Sequence, residues 1–398
     1  VKKGLLLFLA LCFSILLTIW GGYDLTSKGE KLLARPVITF EKTYKGFTGY
    51  SVAQTSDGGY IIVGEGHTND PDRTDVFLLK TDGKGNKMWE KTFGGPGDDY
   101  GSGLVQTVDR GYVIVGGTFS ISKWDWDVYL IKTDLKGNKI WEKTLGGEDK
   151  DWGSYITRTS DGGYLISGTT RSFGLGSYNL YLVKTDSRGN KIWEKAVPEG
   201  LCGSHIAPTN DGCYVIVGNT GFFGAANIDV YLLKVDTHGR KIWEKALGGS
   251  GDDLGNCVSQ TSDGGYIIVG QTDSFGSGKS DVYLVKTDEN GNLIWQKTFG
   301  GQKVDEGHSV IETKDGGYLI GGITNSFGTG EYDYDIYLVK TDAKGNKLWE
   351  KTFGGKGLNE CRCVAQTNDG GFIITGSIGG HICLIKTDSR GNVYKEER

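Results

Sequence analysis

The 398-residue chain has no excess of basic charge: 44 Lys and Arg stand against 49 Asp and Glu, giving a formal net charge of −5 and a pI near 5.7. With no positive field to gather phosphate backbones and no block of like charge forming a tail, nucleic acid is not an expected partner. Cysteine is too irregular to form a disulfide scaffold. Cys12, Cys202, Cys213, Cys257, Cys361, Cys363 and Cys383 follow no repeating spacing, and only the Cys361-x-Cys363 pair is close in sequence. Catalytic signatures are missing as well. The five histidines, His67, His205, His238, His308 and His381, are scattered, and the chain contains no H-x-x-x-H pair, nucleophile elbow or P-loop. Beyond the first 23 residues nothing has helical period.

What the chain has is glycine, 66 residues of it, about twice ordinary usage and at fixed places in a repeat. An Asp-Gly-Gly-like turn recurs at Asp57, Asp109, Asp161, Asp211, Asp263, Asp315 and Asp369, and a Lys-x-Asp follows each, from Lys80 to Lys386. A Trp-Glu-Lys-like strand then appears at Trp89, Trp141, Trp193, Trp243, Trp295 and Trp349, with spacings of 52, 52, 50, 52 and 54. Such a period marks propellers and solenoids.

In the fifth unit Asn256–Thr261 and Tyr266–Gly270 form a hairpin over an Asp-Gly turn, and Asp281–Asp288 and Leu293–Phe299 form a second one. These four antiparallel strands, A to D, amount to one propeller blade. Each sheet is apolar on both faces, so it needs a neighbour on either side, and a closed ring leaves none uncovered. The seventh unit lacks its Trp strand, but Ile38-Thr39-Phe40-Glu41-Lys42 near the N-terminus matches that strand, with Phe40 in the Trp slot. The expectation is an all-β, seven-bladed β-propeller over residues 36–398, closed by an N-terminal strand that completes the last blade.

Residues 1–23 are a different material: Lys2 and Lys3 precede an apolar run from Leu5 to Trp20. As a helix this run reaches about 24 Å, against a hydrocarbon core of about 30 Å, so a signal peptide and a membrane anchor both stay open. With the lysines retained in the cytoplasm the repeats lie outside. Residues 24–35 read as a short linker.

The run from Asp127 to Thr170, DVYLIKTDLKGNKIWEKTLGGEDKDWGSYITRTSDGGYLISGTT, resembles the SBBP family of β-propeller repeats. Its strand, GN turn, T-x-GG segment, acidic loop and glycine hairpin match unit by unit across residues 36–398. The Trp and its turn glycine are also similar to the Trp-docking repeats of quinoprotein-type propellers. The fourth unit departs from the pattern: KAVPEGLCGS follows Trp193, and Cys213 replaces the second turn glycine. The resemblance implies an exported or surface-attached propeller whose repeats carry no defined catalytic residue.

Positions identical in every unit maintain the unit, and positions that vary on one face are free to bind. By this test Lys80 and its equivalents lie along their strand and meet local acids, and Asp82 and its equivalents cap the next turn. Asp99, Asp151, Asp253 and Asp305 form a partial acidic collar; they either hold a hard cation such as calcium or cap their own loop amides. No other cofactor is implied. The residue after the repeat glycine of strand A reads Tyr50, Ser102, Ser154, Ser204, Asn256, His308 and Arg362. It varies and is always polar. If strand A is innermost, these side chains ring the mouth of the central channel, with Tyr50, Asn256, His308 and Arg362 as ligand candidates.

The B-to-C loops of the same face carry Trp124, Trp126, Tyr178, Phe222, Phe223, Tyr332 and Tyr334, aromatics set among Gly, Ser and Asp as at contact surfaces for protein or glycan. The shared Ser-Phe-Gly phenylalanines can either pin their loops or join that surface. The leading expectation is an extracytoplasmic, membrane-anchored, non-catalytic binding or assembly module for a protein or glycan. The alternative is an enzyme or cofactor binder, such as a lyase, hydrolase or quinone-dependent dehydrogenase, with its site at the channel mouth.

Overall fold

Short alternating runs broken by Asp-Gly turns make strands, and the fixed spacing of those turns makes every group of four strands alike. The computed structural model describes residues 38–67, 73–119, 121, 125–174, 178–197, 200–220, 227–328 and 333–394, the side chains at 67, 201, 202 and 204 excepted. The expected signal or anchor and linker, and the loop candidates Trp124, Phe222, Phe223 and Tyr332, lie outside the described residues. The described residues form seven four-stranded antiparallel sheets, each in the order A-B-C-D. The first blade takes Thr48–Gln54, Tyr60–His67, Thr74–Thr81 and Lys87–Phe93 in succession.

The seventh blade takes its strands A to C from Asn359–Gln366, Phe372–Ile378 and His381–Thr387, and its outermost strand from Phe40–Tyr44. Phe40 pairs with Lys386 in the same register in which Trp89 pairs with Lys80. The expected closure is therefore present. Strand A is the inner edge of each sheet, and that of the first blade touches those of both the second and the seventh. On the turn face the Asn368 amide donates to Gln54 Oε1 at 2.9 Å across the closing seam, as the Asn210 amide does to Gln260 Oε1 at 2.7 Å elsewhere in the ring.

Strands B and C are buried on both faces, and the apolar clusters lie between blades. Ile61, Val63, Val76 and Leu78 of the first blade pack on Leu104, Tyr112, Ile114, Tyr129 and Ile131 of the second. Each such side chain contributes roughly 1.5–3 kcal/mol by leaving water.

The Trp of strand D adds a specific latch. A Cβ on Gly345 would lie 2.8 Å from the Trp295 ring, and Gly345 has φ 75°, so only glycine both makes the turn and admits the indole of the preceding blade. Gly85 does the same for Phe40, at 2.6 Å. Gly345→Ala is expected to cost about 2 kcal/mol or more, from left-handed backbone strain and displacement of Trp295; denaturant unfolding checks it.

The repeated lysine meets its local acid as expected, but its head is buried. Lys80 is 3% exposed and bonds both Asp57, at 3.0 Å, and the Thr81 carbonyl, at 2.8 Å. The missing side chain of Gly59 makes room, since a Cβ there would lie 2.5 Å from Lys80 Nζ. Asp82 caps the next turn through its Oδ1, which accepts the amides of Lys84 and Asn86. Asp288 likewise accepts from Asn290 and Asn292, so that segment is a turn.

Candidate functional site: the axial cavity

Strand A carries one extra residue in every blade. Its ladder with strand B slips between Gly49 and Ser51, Gly101 and Gly103, Gly153 and Tyr155, Gly203 and His205, Gly255 and Cys257, Gly307 and Ser309, and Cys361 and Cys363. The inserted residue is the variable polar one picked out by comparing repeats. A bulge re-aims the side chains beside it, so this position and the next both reach the axis.

The glycine before the bulge sits tight against the preceding blade, where a Cβ on Gly307 would meet Val269 at 2.4 Å. Blade seven has Cys361 in this slot, and its neighbour has Gly321 where four of the other blades have valine. A Cβ on Gly321 would lie 2.6 Å from Cys361 Sγ, so the larger residue on one blade is matched by the smaller one on the next.

The result is a cavity of about 700 Å³ lined by Tyr50, Ser102, Ser154, Asn256, His308 and Arg362, together with Tyr100, Tyr155, His205, Cys257, Glu306 and Cys363. All four ligand candidates, Tyr50, Asn256, His308 and Arg362, line it. Asn256 Nδ2 donates to the Gly307 carbonyl at 2.9 Å, tying it to blade six. His308 Nδ1 faces the Cys361 carbonyl at 2.8 Å, and Nε2 faces Glu306 at 3.2 Å. Arg362 pairs with Glu360 at 2.6 Å and lies over the Tyr50 ring. Its Nε is buried without a hydrogen-bond partner. Tyr50 donates to Glu65 at 3.0 Å, and burial raises the Glu65 carboxyl above its usual range.

Comparison of repeats missed the aromatic wall. Tyr155 and His205 lie ring to ring at 3.8 Å, and burial pushes the His205 imidazole down to about 3, so it is neutral. His205, Cys257 and Cys363 sit in the same slot after the bulge, and all three line the cavity despite their distant blades. Burial pushes the Cys257 thiol up to about 12, and its Sγ faces the Val310 carbonyl of the next blade, so it behaves as an inert thiol. Among the described residues no group of three or more His, Cys, Asp and Glu is placed to hold a metal.

The collar residues Asp99, Asp151, Asp253 and Asp305 are 0% exposed. Each caps its own loop, as where Asp253 accepts the Gly249 amide at 2.7 Å. Of the loop aromatics, Trp126 packs on Phe119 and on Tyr100, itself a cavity residue, at 5.9 and 5.5 Å. Tyr178 packs on Trp152 at 5.6 Å with Arg171 over its face. Tyr334 joins the loop through backbone bonds to Gly357 and Asn359. The shared phenylalanines pin their loops, Phe173 on Tyr181, Phe275 on Tyr283 and Phe327 on Tyr337.

Fold and site together define a closed seven-bladed propeller with a polar axial cavity and an aromatic border on one face. The chain matches no protein-family model and no curated protein. Solved structures do match it. The WD40 domain of Neurospora crassa Pan2 has a TM-score of 0.54 at 11% identity, covering 88% of this chain and 91% of that one. YCF48 bound to D1 peptide gives 0.52 at 13% identity, covering 88% and 95%. Chaetomium thermophilum Sqt1 bound to the N-terminus of ribosomal protein L10 gives 0.50 at 10% identity, covering 88% and 100%. These likenesses establish the propeller fold.

Proposed function

We propose that the protein is a non-catalytic binding module that takes an extended polypeptide segment at the axial cavity and the aromatic border around Trp126 and Tyr178. In this reading the apolar N-terminal segment holds the propeller outside the cytoplasm at the membrane, and the SBBP-like repeats form the recognition scaffold. The observation that carries it is the convergence of Tyr50, Asn256, His308 and Arg362, from four blades, on one cavity that the partly exposed Arg362 side chain lines. The exposed part of the Arg362 guanidinium can donate to a peptide carbonyl, and the Tyr rings and Asn256 suit a chain with alternating apolar and polar groups. Peptide-bound propellers of this shape, YCF48 and Sqt1, lend support.

The test is selection from a displayed peptide library with the purified chain, run beside a glycan array. Selected peptides are expected to lose at least about tenfold in affinity against Arg362→Ala, a loss of about 1.4 kcal/mol. Binding that is indifferent to Arg362→Ala and His308→Ala, or capture of glycans alone, would sink the reading.

A further inference from the structure

Between successive blades, a residue at the start of strand C in one and the first of strand A in the next bring two carboxylates together over a glycine. A Cβ on Gly300 would lie 2.3 Å from Asp281 Oδ1 and 2.5 Å from Asp305 Oδ2. The same crowding joins Asp127 with Asp151 over Gly146, Asp229 with Asp253 over Gly248, and Asp75 with Asp99 over Gly94. Asp151, Asp253 and Asp305 are fully buried, and the Oδ1 of each lacks a hydrogen-bond partner, as does that of Asp229. Two carboxylates so placed cannot both stay charged without help.

The chain varies these seams itself. Between blades six and seven the strand-A residue is Asn359, and its Nδ2 donates to Asp335 Oδ1 at 3.3 Å. Between blades three and four both acids are gone, with Asn179 and Gly200 in their positions. Both departures reduce the charge, and an asparagine has the shape of a protonated aspartate. A cation fits the remaining seams poorly. Asp305 Oδ2 already accepts the Gly301 amide at 2.8 Å and the Ser326 hydroxyl at 2.6 Å. Asp253 is held by Gly249 and Ser274 in the same way. Such donors repel a metal ion, and calcium asks for six to eight oxygens where a proton asks for two.

We propose that the seams joining Asp75 with Asp99, Asp127 with Asp151 and Asp229 with Asp253 each hold one shared proton in place of a cation, making the grip between blades sensitive to pH near neutrality. The other groups facing the seams are Asp98, Asp125 and Asp252 from the loops, and the hydroxyls of Tyr129, Tyr181, Tyr283 and Tyr337 from strand C. All are acids or hydroxyls, so none supplies a compensating positive charge. Burial first and the facing acid second raise Asp75 and Asp127 to about 6. A carboxyl raised in the folded state makes that state bind more protons than the unfolded chain. Its contribution is complete below about pH 4 and is lost as the pH rises to about 6 and beyond.

Thermal melts of the full chain from about pH 4.5 to about 8.5, with Asp253→Asn and Asn359→Asp beside wild type, read this directly. Asp253→Asn is expected to raise Tm by about 1–3 °C at the alkaline end and to leave the acid end unchanged; Asn359→Asp is expected to lower Tm at the alkaline end only. Infrared spectra at neutral pH are expected to lose one protonated-carboxyl band in Asp253→Asn. Shifts of equal size at both ends, the absence of such a band, or a calcium-dependent rise in Tm that Asp253→Asn abolishes would each overturn the proposal.

Discussion

Removing residues 38–44 is expected to open the ring, with a lower unfolding midpoint and concentration-dependent association on size-exclusion chromatography. The deleted segment includes the whole outer strand of blade seven, so the edge of His381–Thr387 would present unpaired amides and carbonyls to other chains. The finer form of the experiment is Phe40→Ala. Phe40 is 9% exposed and belongs to one cluster with Leu384 of its own blade and with Val52, Tyr60, Ile62 and Phe77 across the closing seam, so its truncation should cost about 3–4 kcal/mol. Phe40→Trp restores the side chain of the other six blades opposite Gly85, and its midpoint is expected within about 1 kcal/mol of wild type. Equal losses from both substitutions would mean that Phe40 does not occupy the latch.

The second large effect concerns the buried lysines. Asp263→Ala leaves the Lys286 side chain, 4% exposed, without its acid, and the expected cost is about 3 kcal/mol, at the low end of the range because water reaches the vacated site. Lys286→Met replaces the cation with an apolar chain of similar length and is expected to cost under about 1 kcal/mol. Urea unfolding of the two variants distinguishes a stranded charge from a lost contact. The pair also sets an acid limit. Partial burial pushes the other way, but the Thr55 hydroxyl, the Gly59 amide and Lys80 pull Asp57 down to about 2, and Asp109 and Asp161 are held at about 2 by the same kind of neighbours. These depressed carboxyls stabilise the fold above about pH 4, and that contribution is lost as the pH falls toward 2.

Blade number, strand order and the closing strand could all be read from the residues, because each unit repeats the same turn chemistry and the one missing Trp strand has a match at the other end of the chain. The four ligand candidates were legible for a related reason, as the one polar slot in strand A that changes from blade to blade. The bulge that aims them was not, because it breaks the two-residue alternation on which strand reading depends. Tyr155 and His205, which follow the bulge, were missed for the same reason. Lys80 meets its acid as the repeat implied, but its burial was not legible, because it depends on Gly59 letting the head fold inward onto Thr81. For the collar aspartates a cation site and a loop cap were both open, and the structure shows the cap, with each Asp accepting its own loop amide while fully buried.

The pairing of Phe40 with Lys386 has a consequence for biogenesis. Among the described strands the first made, Phe40–Tyr44, finds its place beside the last, His381–Thr387, so during synthesis it must wait, alone and unmatched, while the six blades between them assemble. A newborn chain therefore passes through a horseshoe with two sticky ends, and chaperones that shield loose β-edges would matter most in that interval.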